Sequence, residues 1–314
     1  MFVNPPLQNI LPRREGGFIY ILVDTRAYLS TRPYKIYYRR HPRLKLNHYS
    51  LLQNMENIKS SEMPLLVASG MCKRFGGVQA VKDATIEVNK ASITGLIGPN
   101  GAGKTTLFNL LSNFIRPDQG KVIFDGEPIQ NLQPYQIAQQ GLIRTFQVAR
   151  TLSRLSVLEN MLLAGQKQTG EKFWQVQLKP HIVAQEERQL KEQAMQVLES
   201  VGLAQKAQEY AGGLSGGQRK LLEMGRALMT NPKLILLDEP AAGVNPKLID
   251  DICDRILTWN RQDGMTFLII EHNMDVVMSL CDRVWVMAEG QNLAVGTPAE
   301  IQSNPQVLEA YLGQ

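Results

Sequence analysis

The chain has 314 residues, 44% hydrophobic and 20% charged, which is typical of a globular protein with enough apolar material for a large core. No apolar run approaches the roughly 20 residues of a membrane-spanning helix. Three widely spaced cysteines indicate neither disulfides nor a zinc site, so we expect the protein to lie in a reducing cytosol. The net charge of +5 is local to residues 1–63, with ten Lys and Arg against four Asp and Glu, so we expect no nucleic-acid partner.

Residues 1–63 differ in composition from the rest of the chain. Tyr and Arg cluster at residues 34–40, prolines are scattered, and no helical or strand periodicity extends over a useful length. The stretch is either a basic arm for a membrane surface or a partner, or an extension before a start at Met55 or Met63. We favour a basic, disordered extension over residues 1–63, followed by one domain over residues 64–314.

Regular patterning begins at Leu65 with strands. Residues Leu65–Phe75 and Gln79–Val88 predict an antiparallel pair, because apolar and polar residues alternate towards the end of the second run. Residues Ser92–Ile97 predict a short buried strand. Residues Lys121–Phe124, followed by Asp125-Gly126, predict a hairpin.

A glycine-rich loop follows the third predicted strand and precedes an apolar helix. It fits G-x-x-x-x-G-K-[S/T], and in that context the pattern predicts a phosphate-binding loop, in which backbone N–H groups and the helix dipole approach the phosphates. We expect Lys104 to bridge the β- and γ-phosphates of ATP and the Thr105 hydroxyl to bind Mg²⁺. The predicted nucleotide-binding residues are Gly98, Pro99, Asn100, Gly101, Ala102, Gly103, Lys104, Thr105 and Thr106.

The period changes to that of helices between about residues 150 and 228, which we predict to be a helical subdomain. Ser156 and Glu159 have the spacing of a capping box and open a predicted helix over Val157–Ala164. Residues Gln185–Val201 carry one apolar stripe, which we expect to pack within this subdomain. The segment Phe173-Trp174 is either core or a contact surface.

An acidic pair follows a later apolar strand, Leu234–Leu237. We expect Asp238 to hold Mg²⁺ at the strand end and Glu239 to polarise the attacking water. Two further runs, Phe267–Ile270 and Val284–Met287, are separated by helical material, as in a parallel α/β sheet.

A second open helix end lies in Leu214–Gln218, where Ser215 and Gln218 have capping-box spacing around two glycines. Such an end binds anions, but the loop at Gly98 already holds the phosphates. One chain cannot easily place both ends around one γ-phosphate, whereas two chains arranged head-to-tail can. We therefore expect Ser215, Gly216, Gly217 and Gln218 to bind the ATP of a second chain.

In these motifs and their order, residues 65–314 resemble the ATP-binding cassette (ABC) family. The resemblance implies an α/β fold, namely a P-loop NTPase domain with a RecA-like core, an antiparallel β subdomain and an α-helical subdomain. It implies that Phe75 stacks on adenine and that Gln147 is a catalytic residue that contacts Mg²⁺ and links the subdomains. It also implies that His272, in Ile270-Glu-His-Asn, hydrogen-bonds the γ-phosphate beside the catalytic Glu239.

Several shorter phrases resemble the ATPases of branched-chain or neutral amino-acid importers. Among them are Arg74-Phe-Gly-Gly77, Ala241-Ala-Gly-Val-Asn-Pro246 and Glu309-Ala-Tyr-Leu-Gly313. Asn245 replaces the Asp of many cassettes, which removes a charge but keeps hydrogen-bonding capacity. ATPases for urea import and lipopolysaccharide export are close alternatives.

This resemblance implies a MgATP-hydrolysing subunit, peripheral on the cytoplasmic face of the inner membrane. Its implied partners are permease subunits, a second ABC ATPase subunit (identical or paralogous) and, indirectly, a periplasmic solute-binding protein. A non-transport ABC ATPase acting on nucleic acid or ribosomes is the main alternative from another class. Such proteins usually carry two cassettes or a long coiled-coil insertion, whereas this chain has one set of motifs and no heptad run.

Overall fold

The computed structural model describes residues 63–145, 151–165 and 180–312. Their strands form two sheets. The four-stranded sheet has the order β2-β1-β4-β5 and is antiparallel throughout. Its strands are β1 (Leu66–Phe75), β2 (Val78–Val88), β4 (Gln119–Phe124) and β5 (Glu127–Pro128).

Both predicted pairings in the antiparallel sheet are confirmed. Strand β1 pairs with β2 from Leu66 opposite Val88 to Phe75 opposite Val78. Strands β4 and β5 are joined by Asp125 and Gly126, which have φ values of 49° and 85°. Two consecutive positive φ angles are those of a type I′ turn, and Asp-Gly favours that turn.

The second sheet has six strands in the order β10-β9-β3-β8-β7-β6. The five strands from β9 to β6 are parallel, and β10 is antiparallel to β9 at one edge. Strands β3, β7 and β8 are buried along their whole length, which explains their continuous apolar sequences. The six strands are β3 (Ile93–Ile97), β6 (Leu142–Arg144), β7 (Leu234–Asp238), β8 (Thr266–Ile270), β9 (Arg283–Ala288) and β10 (Gln291–Gly296).

Helices occupy most of the connections between these strands. They are α1 (Lys104–Leu111), α2 (Pro134–Gln140), α3 (Val157–Leu162), α4 (Pro180–Ser200), α5 (Gly216–Leu228), α6 (Pro246–Asp263), α7 (Met274–Leu280), α8 (Pro298–Gln302) and α9 (Pro305–Leu312), with 3₁₀ turns at Ala204–Lys206 and Ala211–Gly213. The capping boxes predicted at Ser156 and Ser215 are both formed. Helix α3 ends at Leu162, two residues earlier than predicted. No helix in the described part of the chain is long and apolar enough to cross a bilayer.

The buried apolar side chains form clusters on the two faces of the parallel sheet. On one face, helices α3 to α6 pack against β7 and β8, so the helices after residue 150 share one core with the sheet. Within α4, Ala194 and Leu198 are fully buried, as the apolar stripe predicts. On the other face, helix α1 fills the space between the two sheets. A smaller cluster joins β9 to α7, α8 and α9.

Candidate nucleotide-binding site

The predicted phosphate loop lies at the carboxyl end of β3, in the middle of the parallel sheet. Because β8 and then β7 are its neighbours on one side, the residues that follow these three strands meet at one edge. Those residues include the loop from Gly98, the segment Glu271-His272 after β8, and the pair Asp238-Glu239 after β7. The parallel order thus brings together groups that lie far apart in the sequence.

The three glycines of the loop are needed for different structural reasons. A Cβ atom on Gly98 would lie 2.0 Å from the Met287 carbonyl oxygen, and one on Gly103 would lie 2.4 Å from the Ala80 carbonyl oxygen. Both positions also have positive φ, 147° and 95°. Gly101 has a φ of 77°, but a Cβ atom there would meet nothing within 4 Å. Contact with neighbouring strands therefore requires two of the glycines, and backbone conformation alone favours the third.

Lys104 opens helix α1 and turns its side chain back over the loop. Its Nζ atom donates to the carbonyl oxygens of Gly98, at 2.7 Å, and Pro99, at 2.9 Å. Burial lowers the pKa of this ammonium group, and the nearby carboxylates of Glu239 and Asp238 oppose that shift. A buried cation at the beginning of a helix suits an anionic ligand, because both the charge and the helix dipole attract it.

The side chain of Asp238 is buried and forms an ion pair that the sequence interpretation did not foresee. One of its oxygens, Oδ2, accepts from a terminal nitrogen of Arg144 at 3.1 Å. The other terminal nitrogen of Arg144 donates to Asn109 Oδ1 at 2.6 Å. Arg144 ends the short strand β6 beside β7. A basic residue that ends an apolar strand could have suggested this pairing, but the order of the strands could not be read from sequence.

Glu239 and His272, both predicted to be catalytic, are in contact. His272 Nε2 lies within hydrogen-bonding distance, 3.0 Å, of Glu239 Oε1. Glu239 has a φ of 50°, a left-handed conformation that is uncommon outside glycine. Its N–H donates to the carbonyl of Ile270 at the end of β8, so the turn after β7 is fixed to the neighbouring strand.

Glu271 connects the segment after β7 to the segment after β8. Its side chain is buried, and Oε1 accepts from the N–H of Ala241 at 2.8 Å. Its other oxygen accepts from the N–H of His272 at 3.2 Å. The motif Ile270-Glu-His-Asn contained this residue, but nothing in the sequence indicated which backbone it would bind.

At the second helix end, Gly216 has free space around it and Gly217 is closely packed. Ser215 Oγ accepts from the N–H of Gln218, and Gln218 Oε1 accepts from the N–H of Ser215. A Cβ atom on Gly216 would meet nothing within 4 Å, whereas one on Gly217 would lie 2.0 Å from a methyl group of Leu248. In the described part of the chain, no hydrogen bond joins this helix end to the phosphate loop.

Phe75, predicted from the family resemblance to stack on adenine, lies away from the carboxyl ends of the parallel strands. Phe75 lies at the end of β1 with 47% of its surface exposed, and the ammonium group of Lys73 is 5.7 Å from its ring centroid. An exposed ring is free to stack on a planar ligand. Gln147, the third predicted catalytic residue, and the segment Phe173-Trp174 lie outside the described residues.

The donor set fits a magnesium nucleotide better than an ion held by protein alone. The described residues contain no group of three or more His, Cys, Asp or Glu side chains that could hold a metal. Mg²⁺ is usually held by one or two carboxylates or hydroxyls together with substrate phosphates and water. Asp238, at the end of β7, and the exposed Thr105, the second residue of α1, supply groups of this kind.

Comparison with known proteins supports the resemblance of the sequence motifs to the ABC family. The family described as "ABC transporter" matches residues 81–242, and the family described as "Branched-chain amino acid ATP-binding cassette transporter" matches residues 291–314. The high-affinity branched-chain amino acid transport ATP-binding protein BraF of Pseudomonas aeruginosa is 42% identical over 251 residues, which cover 80% of this chain and 98% of BraF. The Escherichia coli protein LivG, which has the same description, is 39% identical over the same shares.

Solved structures extend the agreement to the fold. A nucleotide-free ATP-binding cassette from an ABC transporter is 40% identical and has a TM-score of 0.70, covering 80% of this chain and all of that chain. The ADP conformation of the cassette MJ1267 has a TM-score of 0.69 with the same identity and coverage. The predicted fold class is therefore confirmed. With these motifs, this fold and these relatives, the chain belongs to the ABC transporter family as an ATP-binding cassette, an ATPase coupled to transport.

Proposed function

We propose that this chain hydrolyses MgATP to power an importer of branched-chain or other neutral amino acids. The observation that carries the ATPase site is the meeting of Lys104, Asp238, Glu239 and His272 at one edge of the parallel sheet. The solute class is supported by the match of residues 291–314 and by the functions named for BraF and LivG.

In this proposal each described side chain has one task. Lys104 would exchange its two carbonyl partners for β- and γ-phosphate oxygens, and Thr105 and Asp238 would hold Mg²⁺, which would neutralise phosphate charge. Glu239 accepts a proton from the attacking water. His272, already 3.0 Å from Glu239, hydrogen-bonds the γ-phosphate and keeps the two groups aligned. Phe75 stacks on the adenine, and Gln147 completes the metal site.

The second half of each site comes from another chain. Ser215 and Gly216 are exposed at the amino-terminal end of α5, and a Cβ atom on Gly216 would meet no other part of the described chain within 4 Å, which leaves room for an anion. Two cassettes, identical or paralogous, close head-to-tail around two ATP molecules, and hydrolysis reopens them. Permease subunits bind the pair at the cytoplasmic face of the plasma membrane, and a periplasmic binding protein delivers the solute.

Uptake of radiolabelled leucine tests this function in cells from which the gene has been deleted. We expect uptake to be lost, to return with the unchanged gene, and to stay lost with Glu239→Gln. The matched control is Glu127→Gln, which changes an exposed glutamate of β5 and should restore uptake. Normal leucine uptake in the deleted cells, combined with a defect in urea uptake or in lipopolysaccharide export, would replace the proposed solute.

A further inference from the structure

Lys220, on the second turn of α5, is the least expected charge near the site. Its charged side chain is buried, as are those of the apolar residues Leu221 and Leu222 that follow it in the helix. Its Nζ atom donates to the main-chain carbonyl of Glu239 and, at 3.3 Å, to that of Ala242. A lysine on the inner side of a helix thus binds the backbone of the residue predicted to activate water.

The conformation of Glu239 explains why such a contact is useful. A left-handed backbone is unfavourable for a non-glycine residue, so it persists only where its surroundings hold it. Here the N–H of Glu239 is bound by Ile270, its carboxylate by His272 and its carbonyl by Lys220. Ile270 is the last residue of β8, and His272 follows that strand. Lys220 is the partner that comes from the helical side.

Several nearby carboxylates stabilise the positive charge of Lys220. Burial lowers the pKa of its ammonium group, and the negative charges of Glu271 and Glu223 are the strongest that oppose this shift. Glu271 itself binds the N–H of Ala241, so a cation and an anion hold opposite groups of the same loop. Burying charged groups is costly, and an arrangement for packing alone would use an apolar side chain here.

We propose that Lys220 is a positioning residue that holds Glu239 in its left-handed conformation and so aims the carboxylate at the attacking water. The inference rests on the proposed role of Glu239 in hydrolysis. Ser215, which caps α5, lies less than two turns before Lys220 on the same helix. Helix α5 therefore connects two parts of the proposed site. Its first residues contact the ATP of the second chain, and its Lys220 binds the backbone of the catalytic glutamate of its own chain.

The test uses the full chain and compares Lys220→Met with Lys233→Met. Lys233 is a half-exposed lysine at the start of β7, paired with Asp125, so its loss should leave hydrolysis unchanged. For Lys220→Met we expect kcat to fall about 10- to 100-fold, because small displacements of a catalytic group have effects of that size. The dissociation constant for ATP should change by less than about threefold, because binding depends on the separate loop at Lys104. Lys220→Arg should recover part of kcat.

A control keeps the test decisive if the single variant does not fold. The double variant Lys220→Met/Glu223→Gln removes one of the carboxylates that the missing cation would leave unbalanced, with Glu223→Gln alone as its reference. We expect the same loss of kcat relative to that reference. A normal kcat in either Lys220→Met background, or equal losses in kcat and ATP affinity without recovery by arginine, would overturn the proposal.

Glu239→Gln, measured in parallel, separates this inference from the proposed function. If Glu239→Gln is inactive while Lys220→Met hydrolyses ATP normally, only the positioning role is wrong. If Glu239→Gln itself hydrolyses ATP at the normal rate, the assignment of the catalytic residue is wrong and Lys220 has no such role to support.

Discussion

Single residues with positive φ shape the nucleotide site. Gly98, Gly101 and Gly103 adopt such angles in the loop, and Glu239 does so after β7. The glycines do not serve the loop equally, because Gly103 also approaches the backbone of β2 too closely for any side chain. In the proposed mechanism Glu239 cannot be a glycine, since its carboxylate accepts a proton from the attacking water. Its conformation must therefore be held by its neighbours.

Replacing glycines one at a time by alanine should separate these effects on the free energy of unfolding. Gly77→Ala, at an exposed position without positive φ, should change it by less than about 0.5 kcal/mol. Gly101→Ala should lower it by about 1 kcal/mol, the cost of a left-handed alanine. Gly103→Ala adds a clash with the Ala80 carbonyl and should lower it by about 2–4 kcal/mol. Denaturant unfolding without nucleotide measures all three, and equal values for Gly101→Ala and Gly103→Ala would contradict the account.

At the scale of elements, helix α3 is fixed to the segment that precedes it by one buried amide. Asn160 is fully buried, and its Nδ2 donates to the carbonyls of Leu152, at 3.1 Å, and Ser156, at 2.9 Å. Its Oδ1 accepts from the N–H of Leu152 at 2.9 Å. These bonds hold the chain that enters the helical part of the molecule.

Asn160→Ala should therefore destabilise the protein strongly. The change removes the hydrogen bonds of a fully buried amide, takes away the acceptor of the Leu152 N–H and leaves a void, so it should lower the free energy of unfolding by about 2–4 kcal/mol. Gln139→Ala, an exposed amide near the end of α2, is the matched control and should change it by less than about 0.5 kcal/mol. Denaturant unfolding of both variants is the measurement. Similar values for the two would mean that Asn160 does not fix this segment.

Local sequence patterns predicted most of the strands, two helix caps and the glycine-rich loop, but not the edge strands β6 and β10 or the short helices α2 and α8. Caps such as Ser156, the Asp125-Gly126 turn and the phosphate loop depend on residues a few positions apart. The contacts of Arg144 and Lys220 join residues that are 94 and 19 positions apart, and they depend on strand order and helix docking. Such contacts follow from the assembled fold, so no local pattern predicted them.

At the scale of the whole molecule, the sheet and the helices that follow residue 150 share an apolar core, while the predicted site remains divided. Lys104, Asp238, Glu239 and His272 gather at the sheet edge, and the end of α5 at Ser215 makes no hydrogen bond to the phosphate loop among the described residues. In the proposed arrangement a second chain completes the site, and ATP links the two surfaces. Hydrolysis would then release that link.

The central claim, that ATP joins two chains, is tested most directly by the mass of Glu239→Gln in saturating MgATP. Light scattering after size-exclusion chromatography should give a dimer with one ATP per chain, and hydrolysis should be at least about 100-fold slower than in the unchanged protein. Adding Ser215→Arg should leave ATP bound to a monomer, because the bulky cation blocks the shared surface. Glu239→Gln that stays monomeric at saturating ATP, both alone and when mixed with the paralogous cassette of the same transporter, would contradict the account, as would hydrolysis at the normal rate.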